Sequence, residues 1–138
     1  MSRHGTFHWN ELLTTDPEAA ASFYAALTGC GIATMPIPEG VYRVMMQGDK
    51  PVGGIMGMVP GLPPGTPPHW FSYLAVDDVD AACTAAEAAG VPVLMRGSMM
   101  DGEIEFAYVD GSAEGAPYVE LARIGPQMRA FYDAVRTG

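Results

Sequence analysis

The sequence predicts an α+β domain built from two βαβββ modules and a C-terminal helix. Three observations predict it: a proline-rich break near the middle, the same strand–acid–helix order on both sides of it, and turn residues that divide three short strand candidates after each helix. The break is Pro60-Gly-Leu-Pro-Pro-Gly-Thr-Pro-Pro68. Proline lacks an amide donor and glycine disfavours regular elements, so this stretch reads as an extended linker rather than a helix or a central strand. The chain is then one domain, residues 1–138, with module one over about 5–59, the linker at 60–68, module two over about 69–124 and a tail helix over about 126–136.

Module one opens with a strand over Thr6–Thr14. Asp16-Pro17 starts a helix, because the aspartate caps the first free amides and proline is tolerated at the first helical position. That helix runs to Thr28 with Phe23, Tyr24 and Leu27 as its stripe, and Gly29 and Gly31 bracket its end. Strands follow at Ile32–Ile37, Val41–Gln47 and Val52–Met58, with a turn at Gly48-Asp49. Module two repeats the order: a strand over Trp70–Val76, the cap Asp78, a helix over Val79–Ala89 facing inward with Val79, Ala82, Cys83 and Ala86, and Gly90 as its C-cap. Its strands are Val91–Arg96, Ile104–Val109 and Tyr118–Ile124, with a turn at Asp110-Gly111. The tail from Gly125-Pro126 to Arg136 reads as a helix carrying Met128, Phe131, Tyr132 and Val135 on one side.

Composition narrows the function. Apolar residues make up 49 % and charged residues 17 %, enough to build a core. Seven basic residues against sixteen acids give a net charge of −9, which disfavours nucleic acid and anionic membrane surfaces as partners. The start, Met-Ser-Arg-His-Gly-Thr-Phe-His-Trp, has no continuous apolar stretch, and no run approaches a bilayer span, so the expected location is the cytoplasm. Cys30 and Cys83 have no CxxC partner and are expected as reduced thiols. No phosphate loop, dinucleotide fingerprint or nucleophile elbow is present; Gly53-Gly54 lacks the Lys-Ser or Lys-Thr that a phosphate loop needs.

The sequence resembles the vicinal oxygen chelate superfamily, which includes glyoxalase I, the bleomycin- and fosfomycin-resistance proteins and the extradiol dioxygenases. The matching residues are Trp9-Asn-Glu-Leu-Leu-Thr-Thr-Asp16 followed by Phe23-Tyr24, Val52-Gly-Gly-Ile-Met56, Tyr73-Leu-Ala-Val-Asp-Asp-Val-Asp-Ala81 running to Gly90, and Tyr118-Val-Glu-Leu121. Their order, and the 62 residues between Asp16 and Asp78, carry the resemblance over roughly residues 5–124. It implies a U-shaped mixed sheet around a cavity, as in the glyoxalase/bleomycin-resistance-like fold. It also implies a site with one residue from each of four strands: two histidines, each seven residues before a capping acid, and two glutamates in the last strand of each module. Here those positions hold Trp9, Phe71, a residue near Met56, and Glu120. Tryptophan and phenylalanine have no lone pair to give, so no metal ligands and no cofactor are assigned.

Strand alternation sorts the lining candidates. If Trp9 faces the cavity, so do Phe7 and Glu11; if Phe71 does, so do His69 and Tyr73; if Glu120 does, so do Tyr118 and Ala122, leaving Val119 and Leu121 for the helix-facing core. His8 then points to the other side from Trp9, and His69, after Pro68, sits at the rim or simply opens its strand. Tyr42 is a further cavity hydroxyl, and Met56 a pliable apolar wall. The candidate catalytic groups are Glu120 and Glu11, since a carboxyl in an apolar pocket holds its proton more tightly; Glu11 reads equally as a strand end in solvent. The candidate ligand contacts are Trp9, Tyr42, Met56, His69, Phe71, Tyr73 and Tyr118.

The leading functional expectation is a metal-free protein that binds a small, largely apolar or aromatic molecule, whether it sequesters that molecule or acts on it. Two alternatives stay open: a divalent-metal-dependent lyase, isomerase or dioxygenase using Glu120 with His69 or Glu11, and a structural or regulatory domain filled by its own aromatics. A homodimer is expected, both from the resemblance and because the tail helix must cover a sheet of its own domain or a partner's.

Overall fold

The computed structural model describes residues 4–37, 40–59, 62–99, 101–115, 118–127, 129 and 130. The described residues form an α+β fold with eight strands and two main helices, with parallel and antiparallel pairing mixed. The elements are β1 (Phe7–Thr14), α1 (Pro17–Thr28), β2 (Gly31–Ile37), β3 (Gly40–Gln47), β4 (Lys50–Gly57), β5 (His69–Ala75), α2 (Val79–Ala88), β6 (Val93–Met99), β7 (Ile104–Asp110) and β8 (Tyr118–Ile124). Each expected strand and both main helices are present, and the described part of the linker carries no regular element. Pro126, Gln127, Arg129 and Ala130 are helical; the rest of the expected tail helix, with Met128, Phe131, Tyr132 and Val135, lies outside the described residues.

The chain forms two compact units, residues 9–70 and the set made of residues up to His8 with those from Phe71 onward. In the first, the strand order is β2-β3-β4-β1. β2, β3 and β4 are joined as antiparallel neighbours, and β1 closes on β4 in parallel, with Glu11 in register with Gly54, Leu12 with Ile55 and Leu13 with Met56. Asp16 caps α1 by accepting from the Ala19 amide at 3.0 Å. One side of this sheet packs α1 through Leu12, Ala21 and Ile55, supported by Tyr24, Ile32 and Met45.

The second unit repeats the plan as β5-β8-β7-β6. β5 pairs β8 in parallel, with Tyr73 in register with Glu120, and β8, β7 and β6 are antiparallel neighbours. Asp78 caps α2 by accepting from Ala81 N at 3.0 Å. The helix packs through Val79 and Cys83 onto Ala107, Val109 and Leu121, with Val119 against the same cluster, as alternation predicts. Burial in this core pushes the Cys83 thiol above its ordinary pKa, and Glu87 adds to the shift.

Several boundaries differ from the sequence reading. The α2 cap residue is Ala89, and Gly90 follows it with φ +79°, so glycine serves just beyond the cap. Val91 N still donates to the Ala86 carbonyl, which delays β6 to Val93. β6 then runs on through Gly97, because the Phe106 ring across the ladder covers the space a side chain would take, 2.7 Å from an ideal Cβ. β4 begins earlier, at Lys50, because Pro51 is accommodated where the β3–β4 register shifts between Met45 and Met46.

Candidate functional site

The candidate residues fall into two sets, one on each compact unit, both on the sheet face turned away from the helix. In the first unit this face is set by register. Trp9, Glu11 and Leu13 alternate along β1; Glu11 and Leu13 lie beside Gly54 and Met56 on β4, and Gly54 pairs with Val44 on β3, two residues from Tyr42. Trp9 Nε1–H donates to Tyr42 Oη at 3.1 Å. Tyr42 Oη and Glu11 Oε1 both crowd one point, lying 1.8 Å and 3.0 Å from the position of an ideal Cβ on Gly54. Glu11 is 2 % exposed, so it does not end its strand in solvent. Met56 shares this face and is half-buried. His69 opens β5, with Nδ1 2.9 Å from the Pro67 carbonyl. Phe7, assigned to the lining by alternation, is 64 % exposed, because it lies at the open start of β1.

In the second unit, Glu120 is buried, in register with Tyr73 on one neighbouring strand and Tyr108 on the other. Phe71 stacks on Tyr73 with centroids 5.6 Å apart and meets Tyr108 edge-on at 5.1 Å. Tyr108 stacks on Tyr118 at 5.8 Å. Such pairs each add about 0.5–1.5 kcal/mol beyond their burial and leave the rings little freedom to move. Four of the expected residues, Phe71, Tyr73, Tyr118 and Glu120, are thus brought together. Two more aromatic neighbours join them, neither among the expected ligand contacts. Tyr108 alternates with Phe106 on β7, a signal that was present but silent without the β7–β8 register. His8 stands edge-on to Tyr73 at 5.6 Å.

Equating the two registers corrects one position. Asp16 and Asp78 lie 62 residues apart, and the same offset carries Glu11 to Tyr73. Glu11 pairs with Gly54, and Tyr73 pairs with Glu120. The first-module counterpart of Glu120 is therefore Gly54, two residues before Met56. The four positions at which the resemblance places metal ligands hold Trp9, Phe71, Gly54 and Glu120. These offer a single donor, whereas a transition metal asks for three or four. Among the described residues no group of three His, Cys, Asp or Glu is placed to hold a metal ion. The residues present do not fit the metal of the metal-dependent members.

What the two sets offer instead is one buried carboxyl group each, among aromatic side chains. Such a group can accept a proton, or hold a hydroxyl or amine donor. Elsewhere, the charged groups make local surface contacts: Arg123 Nε donates to Glu105 at 3.0 Å, and Arg96 pairs with Asp80.

A family model described as the Glyoxalase/Bleomycin resistance protein/Dioxygenase superfamily matches residues 6–115. The protein named "Putative glyoxylase CFP32" of Mycobacterium tuberculosis is 48 % identical over 96 residues, covering 68 % of this chain and 35 % of its own, and the Mycobacterium bovis protein matches equally. The chain thus spans about a third of the length of these relatives. Among solved structures, methylmalonyl-CoA epimerase from Mycobacterium tuberculosis superposes with TM-score 0.59 at 13 % identity, covering 94 % of this chain and 95 % of that one. The 2,2',3-trihydroxybiphenyl 1,2-dioxygenase of Sphingomonas wittichii superposes with TM-score 0.52 at 22 % identity, covering 86 % and 42 %. These likenesses show the fold.

Proposed function

The chain belongs to the glyoxalase/bleomycin resistance protein/dioxygenase superfamily, and from that premise we propose that it binds a small, largely apolar or aromatic molecule without a divalent metal. One observation carries the reading: Glu120 is buried in register between Tyr73 and Tyr108, with Phe71 and Tyr118 completing the aromatic cluster. Rings of this kind supply flat apolar contact, and one carboxyl group among them fixes orientation by accepting a hydrogen bond or a proton. Glu120 is the residue through which acid–base chemistry would run if the bound molecule is turned over. The named relatives support a small-molecule ligand in the coarse sense: a glyoxylase by name, an epimerase of a CoA ester and a dioxygenase of a hydroxylated biphenyl all handle organic molecules of differing polarity. The location proposed is the cytoplasm; no helix among the described residues is long and apolar enough to cross a membrane.

The test compares wild type with Glu120→Gln in melting temperature and in affinity for hits from a small aromatic library, with elemental analysis of the dialysed protein. The expected result is affinity weakened by about tenfold, the value of one hydrogen bond, with little change in melting temperature and well under one equivalent of Zn, Ni, Fe or Mn. Lower stability with unchanged affinity, or a stoichiometric metal that resists dialysis, defeats the proposal. A second reading, a structural or regulatory domain closed by its own aromatics, is favoured by burial: Phe71, Tyr73, Tyr108, Glu11 and Glu120 are all under a tenth exposed. It predicts that no aromatic compound binds.

A further inference from the structure

Gly54 is a glycine for reasons of space. It is absent from the positive-φ glycines, so its backbone conformation is open to any residue. What excludes a side chain is Tyr42: an ideal Cβ on Gly54 would lie 1.8 Å from Tyr42 Oη and 2.6 Å from Cζ. The phenol therefore occupies the volume that begins, at the matching position of module two, with the side chain of Glu120. Two further groups fix it there. Trp9 Nε1–H donates to Oη at 3.1 Å, which turns the hydroxyl's own proton in another direction. Glu11 Oε1 lies 3.0 Å from the same Cβ position and so flanks the phenol from β1. Trp9 and Tyr42 are half-buried, while Glu11 is 2 % exposed and lies beneath them.

We propose that Tyr42 Oη, seated over Gly54 and held by Trp9, is the polar ligand contact of the first module, and that it recognises the hydroxyl of a small hydroxylated aromatic molecule. The proposal rests on the small-molecule reading above and names a hydroxylated aromatic as the class of ligand. A phenol both donates and accepts, so it matches a neutral hydroxyl; a carboxylate at the same place would favour a cation. Gly54 determines specificity, because any side chain there displaces the phenol.

The test uses 4-cresol and toluene, which differ by one hydroxyl, as probes of the full chain. Trp70→Phe serves as the background, leaving Trp9 as the only tryptophan reporter. In that background the expected preference for 4-cresol is about tenfold, the value of one hydrogen bond. Tyr42→Phe, which keeps the ring and the fold, is expected to abolish the preference and to shift Trp9 emission. Gly54→Ala is expected to do both as well, and the double variant to match either single one, since all remove the same contact. A preference that survives Tyr42→Phe, or Trp9 emission indifferent to both substitutions, overturns the proposal. Binding of both compounds that depends on Glu120 but ignores the hydroxyl overturns this inference and leaves the small-molecule reading standing. Binding of neither compound to the wild type overturns both.

Discussion

Ile55 follows Gly54 on β4 and points the opposite way, into the core beneath α1 with Leu12 and Ala21, and it is 0 % exposed. Ile55→Ala removes three carbons from a closed site. At about 0.8 kcal/mol per buried methylene the transfer loss is about 2.4 kcal/mol, and the cavity left behind brings the cost to about 3–4 kcal/mol. For a chain of this size that lowers the melting temperature by about 10–15 °C. Ile55→Val removes one carbon and is expected to cost about 1 kcal/mol. Urea and thermal unfolding of the three proteins measure both differences. The same variants test face assignment, because Ile55→Val is expected to leave Trp9 emission unchanged in the Trp70→Phe background where Gly54→Ala shifts it. An Ile55→Ala cost under about 1 kcal/mol would show that this core does not close around Ile55. An emission change with Ile55→Val as large as with Gly54→Ala would refute the alternation on which the site rests.

Two more expectations follow from the surface. The Arg123 guanidinium holds the Glu105 carboxyl below its ordinary pKa, and hydrogen bonds from the Ser112 side chain and amide do the same for Asp110. A depressed folded-state pKa contributes stability above the unfolded value, near about 4, that is lost as the pH falls through the folded value; Glu105→Gln and Asp110→Asn are therefore expected to flatten the acid limb of a stability–pH curve, and an unchanged limb would count against these contacts. A homodimer is proposed from the outer side of α1, which bears no charge after Glu18 and leaves Phe23 58 % and Leu27 66 % exposed; light scattering that returns the monomer mass at tens of micromolar would remove it.

Local chemistry made most of the fold legible. Asp16-Pro17 announced α1 because a cap and a first-turn proline act on their own neighbours, and its bounds, Pro17–Thr28, came out as read. Alternation sent Val119 and Leu121 to α2 and left Glu120 on the other face, since side-chain parity is a property of one strand. What a single strand does not contain is its register against the next. The first-module counterpart of Glu120 was therefore read near Met56, where the β1–β4 ladder places Gly54, and Tyr108 went unnoticed until β7 was aligned with β8. Gly54 itself reads in sequence only as part of the Val52-Gly-Gly-Ile-Met56 strand and of a pair that lacks what a phosphate loop needs. Its meaning lies in Tyr42 on another strand, and no local pattern carries that.

In each module the site-bearing ladder is also the one that joins the most distant parts of the chain. Strands β2, β3 and β4 meet their neighbours across short connections, but Glu11 reaches Gly54, and Tyr73 reaches Glu120, only after some forty residues of intervening chain. Closing so long a loop costs entropy before any contact repays it, so the hairpins have a head start and the parallel strand docks onto them. The carboxylate of Glu11 and the ring of Tyr73 thus reach their stations at the end of each module's assembly. A folding intermediate with its hairpins formed and its first strand still loose would have most of its secondary structure, while Glu11 and Tyr73 were still away from Gly54 and Glu120.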